Sequence, residues 1–157
     1  MAQMTRLIRK KLAEVLVEEG VVKDDQVQEA LKRQRATGEF LSEALVQLAY
    51  CTEMDIARSV VKQFGVPFID ASKYRIPREA LQSVSLDLLR MNQMIILDKV
   101  GKTLLVAAAG VPSPEILEKL ERSSGSQVFL YACTVTQLAE AYKKNVGAKA
   151  APPAAKK

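Results

Sequence analysis

The sequence predicts an α+β protein. A helical pseudo-repeat of two helix-turn-helix units comes first, followed by a small α/β subdomain on a sheet of three strands or slightly more. Three observations predict it. A stretch of chain recurs at an offset of 29 positions, Lys11 to Gln34 and then Phe40 to Gln63, with Leu12 over Leu41, Glu14 over Glu43, Leu16 over Leu45, Val17 over Val46 and Gln34 over Gln63. The helical pattern stops at Gly65-Val66-Pro67. Beyond that point, strand-length apolar runs alternate with helix signals. A near-repeat of this length is one supersecondary unit used twice, and neither copy can bury its apolar face alone. The copies must pack on each other or on the rest of the chain, which makes the seam between them the first place to look for a site.

Met4, Leu7, Ile8, Leu12, Val15 and Leu16 recur at steps of three and four, which predicts a helix from about Thr5 to Glu19. Gly20 ends it in a left-handed cap, and Val21 and Val22 turn into the core. Asp24 and Asp25 suit the positive end of the next helix, whose inner stripe is Val27, Ala30 and Leu31 and whose end is Thr37-Gly38. The second copy repeats the plan. Leu41, Leu45, Val46 and Leu48 form a short helix, and Ala49 stands where Gly20 stood. Thr52 caps a longer helix with Ile56, Val60 and Phe64 inward, and Gly65 stops it.

Pro67 to Asp70 is extended, and Pro77 to Val84 and Ser85 to Arg90 are short helices. Residues 93–109 form a hairpin turning at Gly101. Pro114 opens a helix that ends at Gly125, Val128 to Ala132 is a strand, and Thr134-x-x-Gln137 is a capping box for a last helix. The organisation expected is a repeat subdomain over 1–64, an α/β subdomain over 65–146 and a disordered tail over 147–157, where Ala, Pro and Lys leave nothing to bury.

Composition narrows the function classes. Of the 157 residues, 48% are hydrophobic and 26% charged, as in ordinary globular proteins. No run approaches the ~18 apolar residues that span a bilayer. The basic residues near the start predict no secretory leader, so the cytoplasm is the expected compartment, with a peripheral position at the inner membrane as a variant. The two cysteines, Cys51 and Cys133, are not in CxxC spacing and histidine is absent, so neither a zinc site nor a Cys-His or Ser-His catalytic set is expected. The net charge of +5 sits at the ends: Arg6, Arg9, Lys10 and Lys11 at one, Lys149, Lys156 and Lys157 at the other. Removing those seven from 23 basic residues leaves 16 against 18 acids. The body lacks the basic face that a nucleic-acid partner requires.

The repeated units, with Leu12-Ala13-Glu14-Val15-Leu16-Val17-Glu18-Glu19-Gly20, Gln26 to Leu31, Phe64 to Asp70 and the strand Leu104 to Ala108, resemble the N-terminal domain of type II secretion and type IV pilus assembly ATPases, in its MshEN-type version. The resemblance covers about residues 6–146. It implies a cyclic di-GMP-binding motif that begins Arg-Leu-Gly in each copy. The matching positions here are Lys11, Leu12, Ala13, Leu16 and Gln34 in the first copy, and Phe40, Leu41, Ser42, Leu45 and Gln63 in the second. Both arginines and both glycines are replaced. Lysine lacks the planar bidentate fork of arginine, and Ala13 and Ser42 add atoms where the resemblance implies bare backbone. Gly110 follows a strand where the resemblance places an acid. Leucines at these spacings are ordinarily core, with base stacking as the alternative.

The expectation is a free-standing, non-catalytic regulatory or docking module that acts through protein–protein contacts. Its partner would be a secretion or pilus assembly ATPase or the inner-membrane platform protein. The alternative is a cyclic di-GMP receptor with an altered motif; no other cofactor is expected. Gly101-Lys102-Thr103 matches the end of a Walker A motif, but Ile96 stands where its first glycine belongs and a strand follows instead of a helix. Incubation with ATP should therefore release phosphate only at the level of a protein-free blank. Release above the blank that Lys102→Ala abolishes would contradict this reading.

Overall fold

The computed structural model describes residues 11–147. Helices α1 (Leu12–Glu18), α2 (Asp24–Thr37), α3 (Leu41–Gln47) and α4 (Glu53–Phe64) come first. A 3-10 turn (Ala71–Lys73), α5 (Arg78–Gln82) and α6 (Leu86–Met91) lead into strands β1 (Met94–Val100) and β2 (Thr103–Ala108). Then come α7 (Pro114–Ser124), β3 (Gln127–Ala132) and α8 (Val135–Asn145).

The two copies share their plan: the short helices are each seven residues long, while the longer ones run for 14 and 12. Each copy begins with an amide capped by a carboxylate three residues on: Lys11 N donates to Glu14 Oε1 at 3.2 Å, and Phe40 N to Glu43 Oε1 at 3.2 Å. The longer helices do the same with a side-chain oxygen three residues on, the Gln26 carboxamide accepting from Lys23 N and the Asp55 carboxylate from Thr52 N. These bonds satisfy amides that a helix start leaves orphaned. The short helices end alike, Val21 N reaching Leu16 O at 2.9 Å and Tyr50 N reaching Leu45 O at 3.0 Å. That turn needs a left-handed residue. Gly20 supplies it at φ +73°, and Ala49 is forced into it at φ +62°.

One sequence expectation is corrected here. The first helix does not run unbroken from Thr5 to Glu19, because Lys11 is extended (φ −79°, ψ 157°) and caps a helix beginning at Leu12. Apolar periodicity continues through Lys11 in the sequence, but the Glu14 carboxylate claims its amide. Residues 5–10 of that expected helix, and residues 148–157 of the expected tail, lie outside the described residues.

In the second half, β1 and β2 form the expected antiparallel hairpin through Gly101, with a register shift between Ile96 and Asp98. Helix α7 crosses over to β3, which pairs parallel with β2, for a sheet order β1-β2-β3. Phe68 bridges Ala132, with Ile69 N on Ala132 O at 2.9 Å, so the extended segment after Pro67 continues the sheet at one end.

Two apolar cores result. The smaller gathers Leu16, Val22, Val27, Ala30, Ala44, Leu45 and Ile56 between the copies. The larger surrounds the sheet and takes Val15, Val60 and Phe64 from the helical half. No helix among the described residues is long and apolar enough to cross a membrane.

The left-handed alanine generates a prediction. Ala49→Gly should raise stability by about 0.5–1 kcal/mol, since relief of the Cβ clash outweighs the flexibility glycine adds to the unfolded chain. The melting temperature should rise by roughly 2–4 °C, and Gly20→Ala should lower it. A fall on Ala49→Gly in a thermal melt would contradict the assignment.

Candidate functional site

The structure divides the positions singled out from sequence. Leu16 and Leu45 are fully buried in the small core, and Leu12, Ala13 and Leu41 pack half-buried against it. These five come together as structure, and they fill the seam between the copies. Lys11 is exposed and Phe40 half-buried at the two N-caps. Gln34 is half-buried, its carbonyl accepting Gly38 N at 2.8 Å. Gln63 crosses to the first copy, its amide donating to Glu19, which Lys62 also approaches at 3.1 Å.

Ser42 is 1% exposed and turns toward the sheet half. Gln93 Nε2 donates to its Oγ at 3.1 Å. Gln93 stands at φ +55° just before β1, a conformation rare for a residue with a side chain. Gly110 gives its amide room: a Cβ at 110 would lie 3.3 Å from Gln93 Oε1. Sequence reasoning missed Gln93, because nothing local marks a glutamine whose partner lies 51 residues away.

An open concavity lies elsewhere among the described residues. A cleft of about 300 Å³ runs between the second copy and α8. One wall carries Glu39, Glu43, Val46, Gln47 and Glu53; the other carries Val135, Thr136, Ala139, Glu140 and Lys143. Glu39 is 3% exposed and paired with Arg33 Nε. Glu53 clasps the start of α8, accepting from Thr136 N at 2.9 Å and Thr136 Oγ1 at 2.7 Å. With Glu39 neutralised by Arg33, Glu43, Glu53 and Glu140 against Lys143 still make the cleft acidic, unsuited to an anionic ligand and suited to a cationic or amide-rich surface. Its walls join residues 39–53 to residues 135–143, about 90 positions apart in sequence, so no local motif could announce it.

No group of histidine, cysteine and carboxylate ligands fit for a metal occurs among the described residues. Both thiols are held in the neutral form. Burial first, then the Asp55 charge, pushes Cys51 up to about 11, and burial, then Asp70, pushes Cys133 up to about 12. Gly101-Lys102-Thr103 lies in the β1–β2 turn, with Gly101 at φ +61°. There it is a hairpin turn, with no helix N-terminus behind it to receive a phosphate.

A family model described as the MshEN domain matches residues 64–151, just over half of the chain and mostly the sheet half. The type IV pilus assembly ATPase PilB of Thermus thermophilus is 34% identical over 68 residues, a stretch that is 43% of this chain and 8% of that protein. The chain thus spans a small part of that relative. A structure of MshE with cdg (cyclic di-GMP) superposes with a TM-score of 0.61 at 25% identity, covering 87% of this chain and 99% of that one. The N-terminal domain of XpsE superposes with a TM-score of 0.64 at 18% identity, covering 87% and 94%. The latter likeness is one of fold.

The thiols generate the prediction for this region. A thiol with a pKa of about 11 is ionised at roughly one part in a thousand at pH 8, and the thiolate is the reactive form. Ellman's reagent should leave Cys133 untouched in the folded protein. Cys51 should react slowly, about tenfold faster per pH unit while the fold holds, and both should react at once in denaturant. Free-thiol rates in the folded protein at pH 8 would contradict the burial described.

Proposed function

Since the chain belongs to the MshEN domain family, we propose that it is a non-catalytic docking or regulatory module of a type II secretion or type IV pilus machine, working through protein contacts. One observation carries this reading. The position where a ligand would need bare backbone in the second copy is Ser42, and Ser42 is buried and bonded to the chain's own Gln93. The charge of the open cleft supports the same reading, because Glu43, Glu53 and Glu140 repel a doubly anionic dinucleotide and attract a basic protein surface. The proposed partner is the assembly ATPase or the inner-membrane platform protein, met at the cytoplasmic face of the membrane. No nucleotide hydrolysis is assigned to it.

A second reading has one observation in its favour. The likeness to MshE with cdg extends over 99% of that chain, so the frame of a cyclic di-GMP receptor is retained. Lys11 could meet a phosphate as a point charge. The missing guanidinium groups and the filled Ser42 position favour the docking module over this receptor.

Phe40 tests the docking reading. It sits at the N-cap of α3, next to Glu39 and one turn before Glu43 in the cleft wall, and it belongs to neither apolar core. A half-exposed aromatic beside a polar rim suits a contact anchor. Phe40→Ala should leave the melting temperature nearly unchanged and weaken capture of the ATPase or platform protein in a pull-down by about tenfold, or ~1.4 kcal/mol. A loss of ~3–5 kcal/mol in stability would make Phe40 a core residue instead. Unchanged stability with full capture would remove the aromatic anchor from the account.

A further inference from the structure

We propose that Gln93 and Met94 form a strut that sets the width of the acidic cleft by holding both of its walls from behind. The two walls belong to different halves of the chain, so something must fix their spacing. On one side the Gln93 amide holds Ser42 of α3, the helix that turns Glu43 and Val46 into the cleft. On the other side the carbonyl of Met94 accepts the hydroxyl of Tyr142 at 2.5 Å, and Tyr142 lies on the inner face of α8, whose outer face presents Val135, Ala139 and Lys143 to the cleft. Adjacent residues of one strand entrance thus grip opposite walls. Ser42, Met94 and Tyr142 are at most 1% exposed, and Gln93 is 8% exposed, so the grip is dry.

The strut is also under tension. Gln93 holds φ +55°, and a residue with a side chain stays there only when its surroundings fix it. Its surroundings do so: the Ser42 hydroxyl, the bond from Ala109 N to Gln93 O at 2.9 Å, the bond from Gln93 N to Arg90 O at 3.3 Å, and the room left by Gly110. Losing the Ser42 bond leaves a buried amide unpaired and its strained backbone less restrained, which favours a second arrangement of the residue 93–94 segment. Glu53 on Thr136 then remains as an exposed clasp between the walls.

The test uses the full chain free in solution, so it is independent of whether the cleft takes the proposed partner. Hydrogen exchange is followed by mass spectrometry for the parent, Ser42→Ala, Gln93→Asn and their combination. Alanine suits the helix at 42 and removes only the hydroxyl. Asparagine tolerates positive φ but is one methylene too short to reach. Each single variant should speed exchange about tenfold in both 41–47 and 135–145, leaving α7 and the β2–β3 pairing unchanged. The double variant should add nothing beyond either single one. Tyr142→Phe, which keeps the ring in place, should loosen the same two segments from the other end. A rise confined to α3, a uniform rise across the chain, or additive effects in the double variant would each overturn the strut.

Discussion

Two neighbouring side chains on α1 point into different cores, and the rest of the structure depends on that division. Leu16 enters the small core between the repeat copies, while Val15 enters the larger core around the sheet. Helix α4 is divided in the same way, with Ile56 in the first core and Val60 and Phe64 in the second. A seven-residue helix such as α1 has no stability of its own in water. It persists because it is wedged between two apolar surfaces, each burying a different face at roughly 1.5–3 kcal/mol per large side chain. The helical half is therefore both a repeat packed on itself and a lid on the sheet.

That arrangement explains why the repeated motif positions are mostly structural. Leu12, Leu16, Leu41 and Leu45 are needed to seal the small core and are spent there. The polar positions around them are engaged as well: Gln63 with Glu19, Ser42 with Gln93, and the Lys11 and Phe40 amides with their caps. Among the described residues the acidic cleft stays open, where the second copy faces α8 across the boundary between halves. A protein contact is the chemistry this surface favours, because carboxylates rimming Val46, Val135 and Ala139 offer both charge and apolar area to a partner.

Much of the fold was legible because its determinants are local. Gly20, Gly38, Gly65 and Gly125 end helices in left-handed turns, and Thr52 and Thr134 cap them, as their positions in sequence suggest. The hairpin and the third strand followed from alternating strand and helix signals, while the parallel pairing of β3 with β2 has no local signature. Apolar periodicity predicts an earlier start for α1, because it is blind to a carboxylate that captures one amide. The cleft and Gln93 were not legible at all. Ser42 and Gln93 are 51 residues apart, and Glu53 and Thr136 are 83 apart, so their meeting is a product of the packed cores and has no local signature. The substitutions at Lys11, Ala13, Phe40 and Ser42 were visible in sequence, but only the structure shows Ser42 filled from behind.

A calorimetric titration of the unmodified protein with cyclic di-GMP bears most directly on this account. The two missing guanidinium contacts remove ~1.5–3 kcal/mol each, which weakens affinity about 100-fold or more. The account predicts no saturable heat below about 10 μM ligand. Saturable binding with a sub-micromolar dissociation constant would contradict it and make the chain a dinucleotide receptor.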